Sequence, residues 1–424
     1  MPIRRWRPLE NAAKAFPALA FGPNTYVFRI TCQLNDSVDP LVLQKALNET
    51  MRVYAFFRVV LKKGAFWYYL EESELRPRVV EEHSLPCLPI YDPNHEHLLF
   101  EVTYNHNRIH FEVFHVLTDG ISAMQFIRLL VLHYLAQLGI EGLSAAIAEI
   151  ESTLGEDAAN RDAYCEYYDD NTPTVLGIPE DNSPSAQVPG GRYPNHQLGI
   201  MEATLSTQAF LKLAHDHNAT VTECVIALLV EAIAANRNSN LPISIAVPVN
   251  LRRFFPSLTQ RNFHRTIRLR FPEHALENLT TILDYTRLLM QQQTSKGQLQ
   301  AKMNAFTALE KQPLMRLAPL SLKNFVFRVS NKRVNRSVTA IVSNLGVLPL
   351  PAEATPYIAQ FSALSHTHAL QICMVSYNDR LTIGLTSALM SLEVQRDFFR
   401  GLTARGLSVA LATNIGTPSA PSIP

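Results

Sequence analysis

Short runs of alternating apolar and polar residues are spread along this chain, and between them apolar residues recur at helical spacing. Residues 26–34 alternate and are rich in β-branched side chains, which predicts a strand. Three apolar residues spaced four apart then follow Asp39, a natural N-cap, and Pro40, which suits the first helical position. The pattern therefore opens with a strand followed by an amphipathic helix.

The same patterns predict further elements in both halves of the chain. The predicted strands cover residues 57–61, 66–70, 98–104, 109–114, 199–205, 243–247, 338–343, 358–364, 369–377 and 381–389. The predicted helices cover residues 121–138, 143–153, 207–217, 221–236 (capped by Thr220), 275–295, 298–311 and 392–402. Strands and helices alternate and tight hairpins join some strands, so we expect an α/β (α+β two-layer) fold with mixed sheets and flanking helices.

A chain of 424 residues exceeds the usual size of one core, so about two domains of roughly 200 residues are expected. Residues 171–194 are rich in Pro, Gly, Ser and Asn and lack an apolar period, which is typical of a linker. We divide the chain into an N-terminal domain (1–180), a linker (181–198) and a C-terminal domain (199–424).

Charge and cysteine content exclude several classes of protein. The formal net charge of +1 argues against a dedicated nucleic-acid binder. Five cysteines, none in a C-x-x-C pair, argue against a disulfide framework or a structural zinc site and favour reduced thiols. Residues 16–22 do not form a signal-peptide core, and the longest uncharged stretches are too polar to span a bilayer. We predict a cytoplasmic protein without a transmembrane segment.

Candidate chemistry lies in residues 114–120, where a predicted strand ends and an apolar helix begins. His115 can accept a proton near neutral pH, and Asp119 follows it across a tight turn. Gly120 removes a side chain where the backbone turns or approaches a neighbour. Spacing alone leaves two readings for each polar residue: His115 is a general base or a hydrogen-bonded structural residue, and Asp119 has a site role or is simply a helix N-cap.

His115-x-x-x-Asp119-Gly120, placed after a hairpin strand in a chain of this length, resembles the motif of the chloramphenicol acetyltransferase-like acyltransferases. That superfamily includes alcohol acetyltransferases and the condensation domains of peptide synthetases. The segment Pro248-Val-Asn-Leu-Arg252, with the later Asn262-Phe, is similar to the one that carries the family's structural arginine. The resemblance, which also takes in residues 66–70 and 343–346, covers the whole chain. It implies two similar domains arranged in a V with a tunnel between them.

Each site residue receives a role from this resemblance. His115 is expected to act as the general base, while Asp119 ion-pairs with Arg252 to lock the loop; Arg253 remains an alternative partner. The plant-type Asp-Phe-Gly-Trp-Gly signature of the family is absent, and Ser343 and Asn344 lie nearest to the position where it would stand. These two residues are candidates for an oxyanion or tunnel role, or else form part of a structural turn. Phe114 stands where condensation domains carry a second histidine, which departs from that branch.

The resemblance implies an O-acyltransferase of alcohol-acetyltransferase type, with acetyl-CoA or another acyl-CoA as co-substrate and no permanently bound cofactor. Its partners would be this donor and a small-molecule alcohol or amine acceptor. One alternative is condensation-type transfer from a phosphopantetheine carrier protein to form an amide or ester. Another is a non-catalytic binding protein of the same fold.

The remaining histidine pairs, motif searches and basic clusters do not indicate another type of site. Histidine pairs at 95/97, 215/217 and 366/368 lack a further ligand at a recognised spacing, so no metal site is predicted. Patterns for serine hydrolases, phosphate loops and dinucleotide sites do not occur. Basic clusters at 252–270 and 323–336 indicate either a solvated face or a docking surface for the phosphates of coenzyme A or a carrier.

Overall fold

The computed structural model describes residues 5–154, 161–169 and 181–415. The strands, in chain order, are β1 (Trp6–Pro8), β2 (Val27–Leu34), β3 (Val59–Lys63), β4 (Tyr68–Glu72), β5 (Val79–Glu81), β6 (Phe100–Asn105), β7 (Arg108–Phe114), β8 (Gly199–Ser206), β9 (Ile243–Asn250), β10 (His264–Phe271), β11 (Ala340–Val347), β12 (Ile358–Ser365), β13 (Leu370–Tyr377), β14 (Arg380–Ser387) and β15 (Ala410–Thr413). The helices are α1 (Phe16–Leu19), α2 (Pro40–Val53), α3 (Gly120–Gln137), α4 (Ser144–Ser152), α5 (Ala163–Glu166), α6 (Thr207–Asp216), α7 (Val221–Asn236), α8 (Leu279–Gln293), α9 (Lys296–Lys311), α10 (Pro313–Leu317), α11 (Leu320–Arg336) and α12 (Glu393–Ala404).

One sheet has the strand order β12-β2-β7-β6-β5. Strands β2 and β7 run antiparallel, and helices α2 and α3 pack beside them around one hydrophobic core. Strand β12 comes from the second half of the chain and pairs antiparallel with β2. Both halves of the chain thus contribute strands to this sheet, in which strand β7 ends immediately before His115.

A larger sheet has the order β10-β9-β11-β13-β14-β8-β15, and a small one the order β1-β4-β3. In the larger sheet β11 is parallel to both β9 and β13, whereas β13 is antiparallel to β14. A second hydrophobic core lies between this sheet and helices such as α7. The expected fold of mixed sheets with flanking helices is therefore confirmed.

Local sequence explains why several helices begin where they do. The Asp39 carboxylate accepts hydrogen bonds from the backbone of Leu41 and Val42 at the start of α2. Thr220 and Glu223 form a capping box, and α7 has the bounds that the sequence predicts. The Pro- and Gly-rich stretch 171–194 lies partly outside the described residues, because positions 171–180 are not among them, whereas the linker 181–198 is described.

Strand β10 and helix α11 are among the elements that the sequence patterns do not predict. For β10, the sequence analysis assigns this stretch to a basic cluster, although Ile267, Leu269 and Phe271 alternate with polar residues and are buried. Helix α11 has no clear apolar face, since its buried residues are Leu320 and Lys323. Strands β1 and β15 are short edge segments with no alternating apolar pattern of their own.

Among the described residues, no single helix has both the length and the apolar character needed to cross a membrane. Helices α6 and α7 together meet that test by length and composition, but the chain bends by 78° between them. All five cysteines lie in the described part of the chain as free thiols, and four of them are buried.

Candidate active site

The segment that follows β7 forms a tight, hydrogen-bonded turn. The backbone N–H of His115 donates to the carbonyl of Tyr26 on β2 at 2.8 Å, and that of Leu117 donates to the carbonyl of Phe114 at 2.9 Å. Asp119 then caps α3. The end of the strand and the start of the helix therefore fix the imidazole of His115 at the edge of the first sheet.

Asn262 determines which nitrogen of His115 carries the proton. Nδ1 of His115 lies 2.9 Å from Oδ1 of Asn262, while Nδ2 of the same amide donates to the carbonyl of His115 at 2.8 Å and to Oε1 of Glu10 at 2.6 Å. These two acceptors orient the amide, so its oxygen faces Nδ1 and Nδ1 must donate. Nε2 is then the unprotonated nitrogen, and no described group forms a hydrogen bond with it.

Glu10 is a buried carboxylate that supports this arrangement. It is 1% exposed, and its second oxygen lies 2.7 Å from Nη2 of Arg261. Because Arg261 immediately precedes Asn262, the ion pair fixes the backbone from which the amide extends. A contact between the N-terminal segment and the second half of the chain thus holds the imidazole of His115 in place.

Asp119 joins the two halves of the chain. Its Oδ1 accepts the N–H of Ser122 at 3.0 Å, and its Oδ2 accepts Nη1 of Arg252 at 2.7 Å and the N–H of Phe263 at 2.8 Å. Burial alone would raise the pKa of this carboxyl, but the guanidinium of Arg252 and the hydrogen bonds lower it to about 2. Asp119 is therefore ionised throughout the physiological range.

Arg252, and not its neighbour Arg253, is the partner of Asp119. The guanidinium also donates to the hydroxyl of Ser122 at 3.1 Å and to the carbonyls of Thr259 and Arg261 at 2.8 and 2.7 Å. Arg253 is exposed. Arg252 therefore ties the start of α3 to the loop that carries Asn262.

Three rings surround the imidazole of His115. The ring centroids of Phe16 and Phe28 each lie 5.0 Å from that of His115, and the ring of His264 lies 5.2 Å away. Burial lowers the pKa of His115, although Asp119 opposes this shift. His115 is thus a neutral, half-buried imidazole at neutral pH.

The segment containing Ser343 and Asn344 lies beside the same loop. A Cβ on Gly120 would approach Cδ2 of Leu345 to 2.6 Å, so the glycine allows β11 to pack against the start of α3. The amide of Asn344 is engaged, since it donates to Thr222 at 2.9 Å and accepts the N–H of Gly346 at 2.8 Å. Ser343 is half-buried. The segment 343–346 therefore packs against the His115–Gly120 motif, and the side chain of Asn344 is engaged in hydrogen bonds within and beside this segment.

Sequence reasoning did not select Glu10, Asn262 or His264 as site residues. Asn262 appeared within the segment that resembles the family's, so its position carried a signal. Glu10 and His264 lie in stretches without a recognisable motif, and only the fold brings them to His115.

The histidine pairs and basic clusters take varied positions. Ligand atoms of Asp92, His95 and His97 lie within 4.8 Å of one another on the surface, a convergence that the pair spacing did not reveal. Arg252 and Arg261 of the basic cluster are bound to carboxylates in the site. The exposed basic side chains of α11 (Lys332, Arg333 and Arg336) form part of the surface.

A cavity of about 390 Å³ lies beside the N-terminal segment that supplies Glu10. Both tryptophans of the chain, Trp6 and Trp67, line it together with Leu9, and its charged groups are Arg316 and the ion pair of Lys14 with Glu310. This lining suits a small molecule with an apolar body.

Comparison with known proteins shows which solved structures share this fold. No protein-family model matches the sequence, and no curated protein matches it. Among solved structures, the TRI3 trichothecene 15-O-acetyltransferase from Fusarium sporotrichioides matches with a TM-score of 0.63 at 12% identity, over 94% of this chain and 95% of that one. F. graminearum TRI101, complexed with coenzyme A and T-2 mycotoxin, matches with 0.61 at 12% identity, over 92% and 96%.

The first condensation domain of the calcium-dependent antibiotic synthetase, in complex with a substrate analogue, matches with a TM-score of 0.59 at 14% identity, over 97% of this chain and 99% of that one. The chain therefore has the fold common to condensation domains and these acetyltransferases, the chloramphenicol acetyltransferase-like fold. At such identities the likeness concerns the fold alone.

Proposed function

We propose that this protein is an acyl-CoA-dependent O-acyltransferase in which His115 is the general base. The observation that carries the proposal is the hydrogen bond from Nδ1 of His115 to Asn262, which leaves Nε2 free to accept a proton. The fold supports the proposal, since structures that share it include named acetyltransferases, one of them solved with coenzyme A.

In the proposed reaction, Nε2 of His115 takes the proton of a substrate hydroxyl as its oxygen attacks the carbonyl carbon of the acyl thioester. The carbon–sulfur bond of the tetrahedral intermediate then breaks, and the departing thiolate takes the proton back from the imidazole. The products are an ester and coenzyme A. Base assistance of this kind typically contributes about 10²- to 10⁴-fold in rate.

The other site residues position the base. The ion pair of Asp119 and Arg252 fixes the loop that follows His115. Asn262, oriented by Glu10, keeps the proton of His115 on Nδ1. Ser343 is our candidate for contact with the oxyanion or acyl chain. The basic residues of α11 are candidates for binding the phosphates of the donor, because guanidinium groups match phosphate geometry.

Release of free thiol from acetyl-CoA, measured with a panel of small alcohols, tests this function. We expect thiol to appear at a rate that depends on the alcohol, with the ester formed in equal amount. If transfer occurs only from an acylated phosphopantetheine carrier, the condensation-type alternative replaces the CoA-dependent one. If no thioester reacts and a ligand still binds, the protein is a non-catalytic binding member of the fold.

The pH dependence of acyl transfer should have one acidic limb set by His115. Burial lowers the pKa of this imidazole below its ordinary value of about 6.5. We therefore expect kcat/KM to be constant near neutral pH and to fall only at pH values below about 6.5. The fall should approach tenfold per pH unit, because only the neutral imidazole accepts the proton. A limb centred above pH 7.5 would contradict the assignment of His115 as the base.

A further inference from the structure

A second imidazole faces His115 from the other half of the chain. His264 is the first residue of β10 and pairs with Asn250 of β9. The hydroxyl of Tyr164 donates to its backbone carbonyl at 2.6 Å and fixes the strand at this point. Its ring lies 5.2 Å from that of His115, at an angle of 41°. Unlike Phe16 and Phe28, the other rings around His115, this one has polar atoms.

The surroundings of His264 decide where its proton lies. Nδ1 is buried and has no hydrogen-bond partner among the described residues. A buried N–H without a partner is rarer in proteins than a buried acceptor without one, so the proton belongs on Nε2. The ring as a whole is half-buried and Nδ1 is its buried nitrogen, so we infer that Nε2 is the accessible one.

His264 also remains uncharged at neutral pH. Burial, together with the neighbouring His115 and nearby arginines, lowers its pKa to about 4, although Asp119 opposes the shift. A neutral imidazole donates one hydrogen bond and accepts one. The two histidines therefore differ in role: His115 offers an acceptor at Nε2, and His264 offers a donor at Nε2.

Resting on the function proposed above, we propose that His264 is a second catalytic residue, whose Nε2–H binds the acceptor oxygen while Nε2 of His115 takes its proton. A hydroxyl fits this pair, because it donates one hydrogen bond and has two lone pairs. One lone pair accepts from His264, and the other attacks the thioester. An amine has a single lone pair, which cannot bind His264 and attack at once. The histidine pair thus selects hydroxyl over amine acceptors.

The selectivity is tested by measuring acetyl transfer from acetyl-CoA to 2-phenylethanol and to 2-phenylethylamine, which share one carbon skeleton. His264→Ala should lower transfer to the alcohol by about 10- to 100-fold, since the oxygen loses one of the two groups that orient it. Transfer to the amine should change less than about threefold, because it gains nothing from His264. His264→Gln, which keeps a donor, should restore part of the alcohol rate, and the exposed His274→Ala serves as a control.

A purely structural role for His264 would lower both rates together, and that result would overturn the proposal. A second measurement does not depend on turnover: long-range ¹⁵N–¹H NMR of the resting protein at pH 7 reports the tautomer of each imidazole. We expect the proton on Nε2 of His264 and on Nδ1 of His115. A proton on Nδ1 of His264 would also overturn the inference. Correct tautomers in a protein that acetylates neither acceptor would instead refute the proposed function.

Discussion

His115→Ala is expected to lower kcat/KM for acyl transfer by about 10²- to 10⁴-fold, the usual contribution of a positioned base. The variant keeps the donor and acceptor sites but removes Nε2, the nitrogen of His115 that the hydrogen bond to Asn262 leaves free to take the acceptor's proton. Release of thiol from acetyl-CoA in the presence of an alcohol measures the loss.

Two controls separate a chemical effect from a structural one. His115 is half-buried and contacts Asn262, and its removal could therefore change the stability of the fold. The loss of rate is assigned to chemistry only if the midpoint of thermal unfolding of the variant stays close to that of the wild type. His97→Ala removes an exposed imidazole elsewhere and should leave the rate unchanged. An active, stable His115→Ala protein would show that another group accepts the proton.

Arg252→Gln is expected to reduce the free energy of unfolding by about 3–5 kcal/mol, the cost of leaving one member of a buried ion pair without its partner. The side chain of Asp119 is only 4% exposed and that of Arg252 13%, so solvent cannot replace the lost charge. The variant would also leave the carbonyls of Thr259 and Arg261 without a donor. Urea denaturation at neutral pH measures the difference.

Arg253→Gln is the matched control, because it removes the same charge one residue away at an exposed position. Its effect should stay within about 0.5 kcal/mol, as for most surface substitutions. Arg252→Lys should recover only part of the stability, since an ammonium group cannot reproduce the planar set of donors. Equal stability of Arg252→Gln and Arg253→Gln would contradict the structural role of the ion pair.

Much of the fold could be predicted because local signals agreed with the tertiary structure. The cap at Asp39 and the capping box at Thr220 determine helix starts through side chains close in sequence. Strand β10 shows the limit of this reasoning. Arg268 and Arg270 lie on the face opposite the buried Ile267, Leu269 and Phe271, and their charges mask the alternation of apolar residues.

The site was predictable only in part, for a related reason. His115, Asp119 and Gly120 lie in one short motif, and Arg252 in another. The residues that determine the chemical state of His115 are scattered: Glu10 comes from the N-terminal segment, and Asn262 and His264 from the loop before β10 and its first residue. No local pattern links these positions, because their association depends on how the two halves of the chain pack.

That packing also bears on the domain division. Asp119 in the first half bonds to Arg252 in the second, and β12 completes the sheet of the first half. We therefore propose that neither half catalyses alone.

The most direct test of the central claim, that donor and acceptor meet at Nε2 of His115, is a crystal structure of the complex with coenzyme A. We predict the thiol sulfur within about 4 Å of that nitrogen, close to the spacing of reacting atoms in a near-attack arrangement. Coenzyme A bound with its thiol directed away from His115 would contradict the account.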